Sequence, residues 1–290
     1  MTDVPAGGRQ AMAKRQRRLR DGAVFAAGLL LCAGVSGCAG VGAASEDSRP
    51  ADDPVRTLRQ APEALLTAGS SQARTAMEMA TGGTRVTIRG EGAYDFRHQL
   101  GQLTVVLPAD PTGAAEHVPI VELLAPGALF MKNRGAGVPA DKWVRVATAT
   151  LSDGNLVTGG ATDPYLAAGV LRGTREAAYL GRTEVAGVAV RHFKGTADLA
   201  LAARGASGAE RAALRAAAKG FATDEVPFEV YLDDQGRVRK LRQSFSFVNG
   251  RSRGPVAVDS TTLLFAFGTP VTVTLPRAHD IYTGRIAEAN

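Results

Sequence analysis

Two thiols, four imidazoles and the adjacent carboxylates Asp233 and Asp234 are the first groups in this chain to weigh for chemistry. His98, His117, His192 and His279 are scattered singly. None has a second histidine at metal-ligand spacing, and no His-x-x-x-His step sets two imidazoles on one helix face. Each reads as a surface or strand residue. No Gly-x-Ser-x-Gly elbow and no Ser-x-x-Lys pair supplies a serine nucleophile. Asp233 and Asp234 are neighbours, but "LDDQGRV" (232–238) is a turn sequence, and aspartate favours turns by accepting from nearby backbone N–H groups. The basic stripe after it, Arg237, Arg239, Lys240 and Arg242, reads as a solvated strand face, with contact to anionic lipid headgroups as the alternative. Cys38 differs from all of these. "VSGC" (35–38) sets its thiol after two small residues at the end of an apolar run. The chemistry a thiol offers there is that of a nucleophile. An enzyme is not expected, nor a metal or a cofactor.

The residues before Cys38 give its setting. A basic cluster, "KRQRRLR" (14–20), precedes an apolar run, "AVFAAGLLLCAGVSG" (23–37), that ends in small residues. This is the order of a secretory signal peptide, and the run is short of the ~20 apolar residues that a spanning helix needs. "VSGC" resembles the bacterial lipobox. That resemblance implies a diacylglyceryl thioether on Cys38, cleavage after Gly37, and lipid anchoring to the extracytoplasmic face of the cell membrane. Cys32 follows three leucines and reads as part of the apolar run. Arg17-Arg18 raises twin-arginine export, but the "LRDG" that follows fits that motif poorly, so the general secretory route is expected.

Composition supports the division into 1–37, 38–54 and 55–290. The chain has 34 Lys+Arg against 28 Asp+Glu, and residues 1–37 hold six of the basic and two of the acidic ones, leaving 28 against 26. The sequence pI of about 9.6 therefore belongs mostly to the leader, and a nucleic-acid partner, which needs a basic working surface, loses its support. With Cys32 removed and Cys38 lipidated, no thiol remains for a disulfide framework. "AGVGAASEDSRPADDP" (39–54) has no apolar periodicity and reads as a tether, about 50 Å long when extended.

From residue 55 the elements alternate in period. "DPVRTLRQAPEALLTAGSS" carries an amphipathic helix pattern, with Asp53 as N-cap, Pro54 in the first turn and Gly69 as a stop. Period-two alternation then appears at Val86 and Ile88, at Leu103, Val105 and Leu107, at Phe228, Val230 and Leu232, at Leu241, Phe245 and Phe247, and at Leu263, Phe265 and Phe267, continuing through Val271, Val273 and Leu275. Such alternation predicts antiparallel strands with one apolar face. Two more helices are predicted, one at "TDPYLAAGVLRG" behind Asp163-Pro164. The other is at "SGAERAALRAAAKGF", where Ser207 and Glu210 stand at capping-box spacing. Eight to eleven strands with three inserted helices predict an α+β fold, one wide antiparallel sheet that curls as twist accumulates. Short, alanine-rich helices are expected to leave its apolar hollow sparsely filled.

In order, the chain presents the lipobox, an acidic tether, the N-terminal helix and "GEGAYDF" (90–96), then "DKWVRV" with Trp143 and "TDPYLAAGVL". "TEVAGVAVRHF", "PFEVYLDDQGRVRKL" and "FGTPVTVTLP" complete it. This order resembles the LolA/LppX-type superfamily of bacterial envelope lipoproteins, in its high-GC Gram-positive form. The resemblance implies a U-shaped half-barrel with helices on its concave face, binding a lipid or an acylated glycan there for carriage or presentation. Val105, Phe228, Val230, Phe245, Phe247 and Phe265 are the candidate lining residues, chosen for their place on alternating strands. Trp143 reads as a core residue or as a gate at an apolar mouth. The alternative function is an envelope interaction or sensing module of the same fold, with a protein partner and no transported ligand. Replacing Cys38 by Ser is expected to release the protein from membranes with its fold unchanged. Fractionation with membranes after a high-salt wash would count against the anchor.

Overall fold

A computed structural model describes residues 53–81, 84–108, 118–135, 137–158, 161–248 and 255–284. The leader, Cys38, most of the tether and His117 lie outside the described residues. Ser48–Asn290 forms one compact unit.

Eleven strands make one open antiparallel sheet: β1 (Ser70–Thr81), β2 (Thr84–Asp95), β3 (Leu100–Val106), β4 (Ile120–Ala125), β5 (Ala128–Lys132), β6 (Trp143–Ala147), β7 (Thr174–Val185), β8 (Val188–Asp198), β9 (Glu225–Leu232), β10 (Val238–Val248) and β11 (Pro255–Phe265). Their spatial order is β6-β5-β4-β3-β2-β1-β11-β10-β9-β8-β7. The chain therefore meanders outward from the centre to one edge, crosses to the other, and meanders back until β11 pairs with β1. Residues 148–173 make that crossing.

The five α-helices among the described residues pack on one face, which the expected curl of so wide a sheet makes the concave one. The N-terminal pattern forms two helices, α1 (Pro54–Arg59) and α2 (Ala61–Ala68). Asp53 caps the first by accepting from the Val55 N–H at 3.0 Å. Pro62 explains the break, because it lacks an N–H and its ring crowds the preceding turn. Gly69 ends α2 at φ +82°. In the crossing, Asp163 caps α3 (Pro164–Gly169) by accepting from Tyr165 and Leu166 N–H at 2.9 and 3.1 Å, and a 3-10 turn (Val170–Gly173) continues it. The alanine-rich stretch forms α4 (Leu199–Gly205) and α5 (Gly208–Gly220). The Ser207–Glu210 capping box does not form. Ser207 makes no side-chain cap, and Glu210 is drawn instead to Arg172.

Burial sorts the faces. Leu103 and Val105 of β3, Phe228 and Val230 of β9, Leu241 and Phe245 of β10, and Val256, Val258 and Leu264 of β11 all point into the core. The opposite, convex face is covered over β4 to β6 by the C-terminal segment, whose Val273 and Ile281 pack with Trp143 on Leu123, Ala128 and Phe130. Ile281 bridges to Trp143, and the Tyr282 N–H donates to the Trp143 carbonyl at 2.8 Å. This strap occupies the hydrogen-bonding edge of β6, where an unpaired strand would invite association. Residues 269–277, expected to continue the β11 alternation, form no sheet pairs.

The two glycines of "GEGAYDF" are steric necessities. A Cβ at Gly90 would sit 2.6 Å from Thr75 Oγ1 and 2.9 Å from the Ala161 Cβ of the crossing. One at Gly92 would collide with the Gln102 carbonyl of β3. Both hold the backbone where a neighbour needs its space. Gly90→Ala is expected to lower the urea unfolding midpoint by an amount worth about 1–3 kcal/mol, since the crossing must lift to admit a methyl group.

Candidate functional site

The concave face is the candidate site, and its floor has two chemistries. Outer strands present aliphatic and aromatic groups: Leu103, Val105, Leu124, Leu129 and Met131 on one arm, Phe193, Val226, Phe228 and Val230 on the other. The middle strands carry a polar belt. Ser71 and Thr75 of β1, Ser260 and Thr262 of β11, and Gln243 of β10 are all buried, and Thr75 pairs with Thr262 while Gln243 pairs with Ser260 across the ladder.

The crossing sits on this belt. Thr162 Oγ1 donates to the Leu156 carbonyl at 3.1 Å and lies 2.6 Å from Ser260 Oγ. Gln243 Nε2 donates to the Ala167 carbonyl at 3.1 Å. Ser71 and Thr75 hydroxyl oxygens have no partner among the described residues. Above the floor the covering side chains mix small and large apolar groups: Ala161, Ala167, Ala168, Ala202, Ala203, Ala213 and Ala217 are buried, and so are Leu58, Leu65, Leu156, Leu171, Leu199 and Leu214.

A clasp of charged groups ties the helices together. Arg172 donates from Nε to Glu210 of α5 at 3.1 Å, from Nη2 to the Tyr165 hydroxyl of α3 at 3.1 Å, and from Nη1 to Glu63 of α2. Burial works against the guanidinium charge, yet the bonds to Glu63 and Glu210 hold its pKa above the ordinary value. Burial raises the Glu210 carboxyl, with Arg172 opposing. Asp163 is raised by burial against the backbone bonds it accepts, and Tyr94, whose hydroxyl donates to Asp163 at 3.4 Å, is pushed well up by burial. Between these groups lies a cavity of only about 30 Å³, lined by Tyr94, Asn155, Asp163, Tyr165 and Glu210. A drug-sized ligand site spans roughly 300–1,000 Å³. Among the described residues the crossing and helices lie over the floor where a sparsely filled hollow was expected.

One group on the floor has no place in either chemistry. Glu122 of β4 has no exposed surface, and neither carboxylate oxygen has a hydrogen-bond partner among the described residues. Its cross-strand neighbours are Leu103 and Met131. Burial pushes its pKa up to about 8, with Arg134 pulling weakly the other way.

The expected lining residues divide. Val105, Phe228, Val230 and Phe245 lie together in the concave core, Phe245 stacked on Phe221 at 5.1 Å between centroids. Phe265 does not join them. Leu264 takes the inward position, and Phe265 lies on the convex face beneath the Arg74 guanidinium, 4.9 Å away. The apolar run 263–265 hides which parity faces inward, and the residues that decide it, Val256 and Val258, lie further back. Phe247 falls near the end of β10, and its side chain lies outside the described residues. Trp143 stands on the convex side under the strap, with Lys132 Nζ 5.6 Å from its ring, so it gates nothing on the concave face.

The other candidates are accounted for locally. Asp233 accepts from the Gln235 and Arg237 N–H groups and from Arg237 Nε, as a turn carboxylate should. In the basic stripe, Arg242 pairs with Asp259, Arg237 and Arg239 lie over the Phe267 ring, and Lys240 lies over Tyr231. His98 is 2.8 Å from Asp95, and His192 stacks on Tyr231 at 4.2 Å. Among the described residues no three His, Cys, Asp or Glu side chains converge to hold a metal. No helix among them is long and apolar enough to cross a membrane.

The open eleven-stranded antiparallel sheet with helices on one face is the wide α+β sheet expected from the sequence. No protein-family model matches the chain, and no curated protein matches it. Solved structures to which it is similar include the lipoprotein LppX of Mycobacterium tuberculosis, at 12% identity and TM-score 0.44, with 77% of this chain and 100% of that one covered. LprF of Mycobacterium bovis follows at 16% identity and TM-score 0.40, covering 77% and 96%. A putative outer membrane lipoprotein-sorting protein domain of Vibrio parahaemolyticus has 8% identity and TM-score 0.31, covering 76% and 94%.

A buried carboxyl whose folded pKa of about 8 exceeds the unfolded 4.5 binds its proton more tightly in the folded chain. Its contribution is complete below about pH 4.5 and is lost as pH rises towards 8. Stability of the unaltered protein is expected to fall by about 3–5 kcal/mol across that window on this account. Urea titrations at successive pH values check this, with Glu122→Gln expected to flatten the slope.

Proposed function

We propose that the mature domain, anchored through Cys38 outside the cell membrane, binds an acyl lipid or acylated glycan along its concave face for carriage or presentation. The observation that carries this reading is the apolar lining of the concave face. The outer strands present large aliphatic and aromatic groups to it, and the crossing and helices lay leucines and alanines over them. Such a floor has much to offer hydrocarbon once the cover lifts. An acyl chain of ~14–16 carbons laid on it would release on the order of 10 kcal/mol gross, before the costs of ordering and of displacing the crossing. The enclosed space of about 30 Å³ does not admit such a chain, so binding proceeds with movement of residues 148–173 off the belt. In this reading the protein holds and passes its ligand unchanged.

The filled interior also favours a second reading, an interaction module with an envelope protein as partner. The β7 edge supports it: Tyr179 and Leu180 are exposed there beside a bulge. Organic extraction of the protein purified from its own membranes separates the two. An acyl species recovered in stoichiometric amount by mass spectrometry is the expected result. A lipid-free extract, with a protein recovered by crosslinking at the β7 edge, would establish the second reading in its place.

A further inference from the structure

A carboxylate without partners in an apolar core is a liability for folding, since replacing buried charged groups by well-packed apolar ones is commonly neutral or stabilising. Features that break the rules of core packing concentrate at functional sites. Glu122 breaks them without local compensation. It is wholly buried, both oxygens are unpartnered among the described residues, and its same-face neighbours Leu103 and Met131 offer no donor.

Its position along the strand gives the reason. Ile120, two residues away on the same face, lines a rim cavity of about 370 Å³ with Leu107, Val118, Asn133, Arg134 and Val138. Same-face positions on a strand are about 6.5–7 Å apart. A rod-like molecule lying along the floor with its head at this rim therefore brings its first few chain atoms past Glu122. Beyond Glu122 it meets Leu124 and Leu129, which are buried and apolar. The polar head, the one carboxyl and the greasy floor thus follow one another in the order of a lipid's own parts.

We propose that Glu122 is the polar recognition point of the concave site, hydrogen-bonding the hydroxyl or ester at the junction of head and chain in an uncharged acyl lipid. The inference rests on the lipid-binding reading above and names the ligand's chemistry within it. Kept protonated by its surroundings, the carboxyl both donates and accepts, which suits a hydroxyl or an ester carbonyl. Arg134 is the charged side chain that acts on it.

The test compares unaltered protein, Glu122→Gln and Glu122→Met at pH 6 for equilibrium binding of 1-monopalmitoylglycerol and of hexadecane, which has the chain without the polar junction. Glu122→Gln keeps a neutral hydrogen-bonding group and is expected to bind the glyceride as the unaltered protein does. Glu122→Met is expected to bind it about tenfold more weakly, to bind hexadecane at least as well, and to show an equal or higher thermal midpoint, which also verifies its fold. Glyceride binding that survives Glu122→Met unchanged overturns this inference alone. Failure of the unaltered protein to bind either probe overturns the lipid-binding reading and this inference with it.

Discussion

Consecutive strands at opposite edges of one sheet impose the constraint on which the rest of this structure depends. β6 and β7 follow each other in the chain yet form the two outer edges, so the segment between them must travel the full width of the sheet. It travels over the concave face, because the helices and the larger apolar groups are there. Polar groups on the central strands follow from this passage. A backbone lying across a sheet brings carbonyls and hydroxyls that need partners, and Ser260 and Gln243 supply them to Thr162 and Ala167. Glycine at 90 follows too, since the crossing approaches β2 and β1 to within van der Waals distance of any added methyl group.

The helices above the crossing are held to one another as much as to the sheet. Arg172, in the 3-10 turn that ends the crossing, reaches α2, α3 and α5 at once. Removing it would strand Glu210, which is only 6% exposed at its side chain, as an uncompensated buried charge. Arg59 of α1 adds a tie by donating from Nε and Nη2 to the Thr174 carbonyl at the start of β7, at 3.1 and 2.8 Å. The cover is thus fastened to itself by charge, and to the floor by apolar packing and a few neutral hydrogen bonds.

Much of this architecture was legible in the residues. The half-buried strands β3, β9 and β10 announce themselves by alternation, and Asp53 and Asp163 mark helix starts by capping chemistry that the structure reproduces. What escaped did so for physical reasons. β1 is the central strand, yet it faces the crossing with Ser71, Ala73 and Thr75, so its inward side has no apolar rhythm. β4 and β5 are buried on both faces, by the core and by the C-terminal strap, so "IVELLA" and "ALFMK" read as apolar runs instead of alternating strands. In β11 the wrong parity looked inward because Phe265 is apolar on the side where an arginine covers it. Glu122 gave no sign: one acid in an apolar strand looks like a residue facing water until the strap's cover on the other side is known.

The pairing of β1 with β11 has a consequence for how the chain comes to be folded. Each arm of the sheet is a meander of near neighbours, but the seam between them joins Gln72 to Phe265, so the central ladder waits for almost the whole polypeptide. Loop closure across that span makes the seam a late and slow event. Until it zips, two long unpaired edges stand open in the middle of the molecule. The nascent chain thus passes through a stage when it depends on being kept apart from its copies.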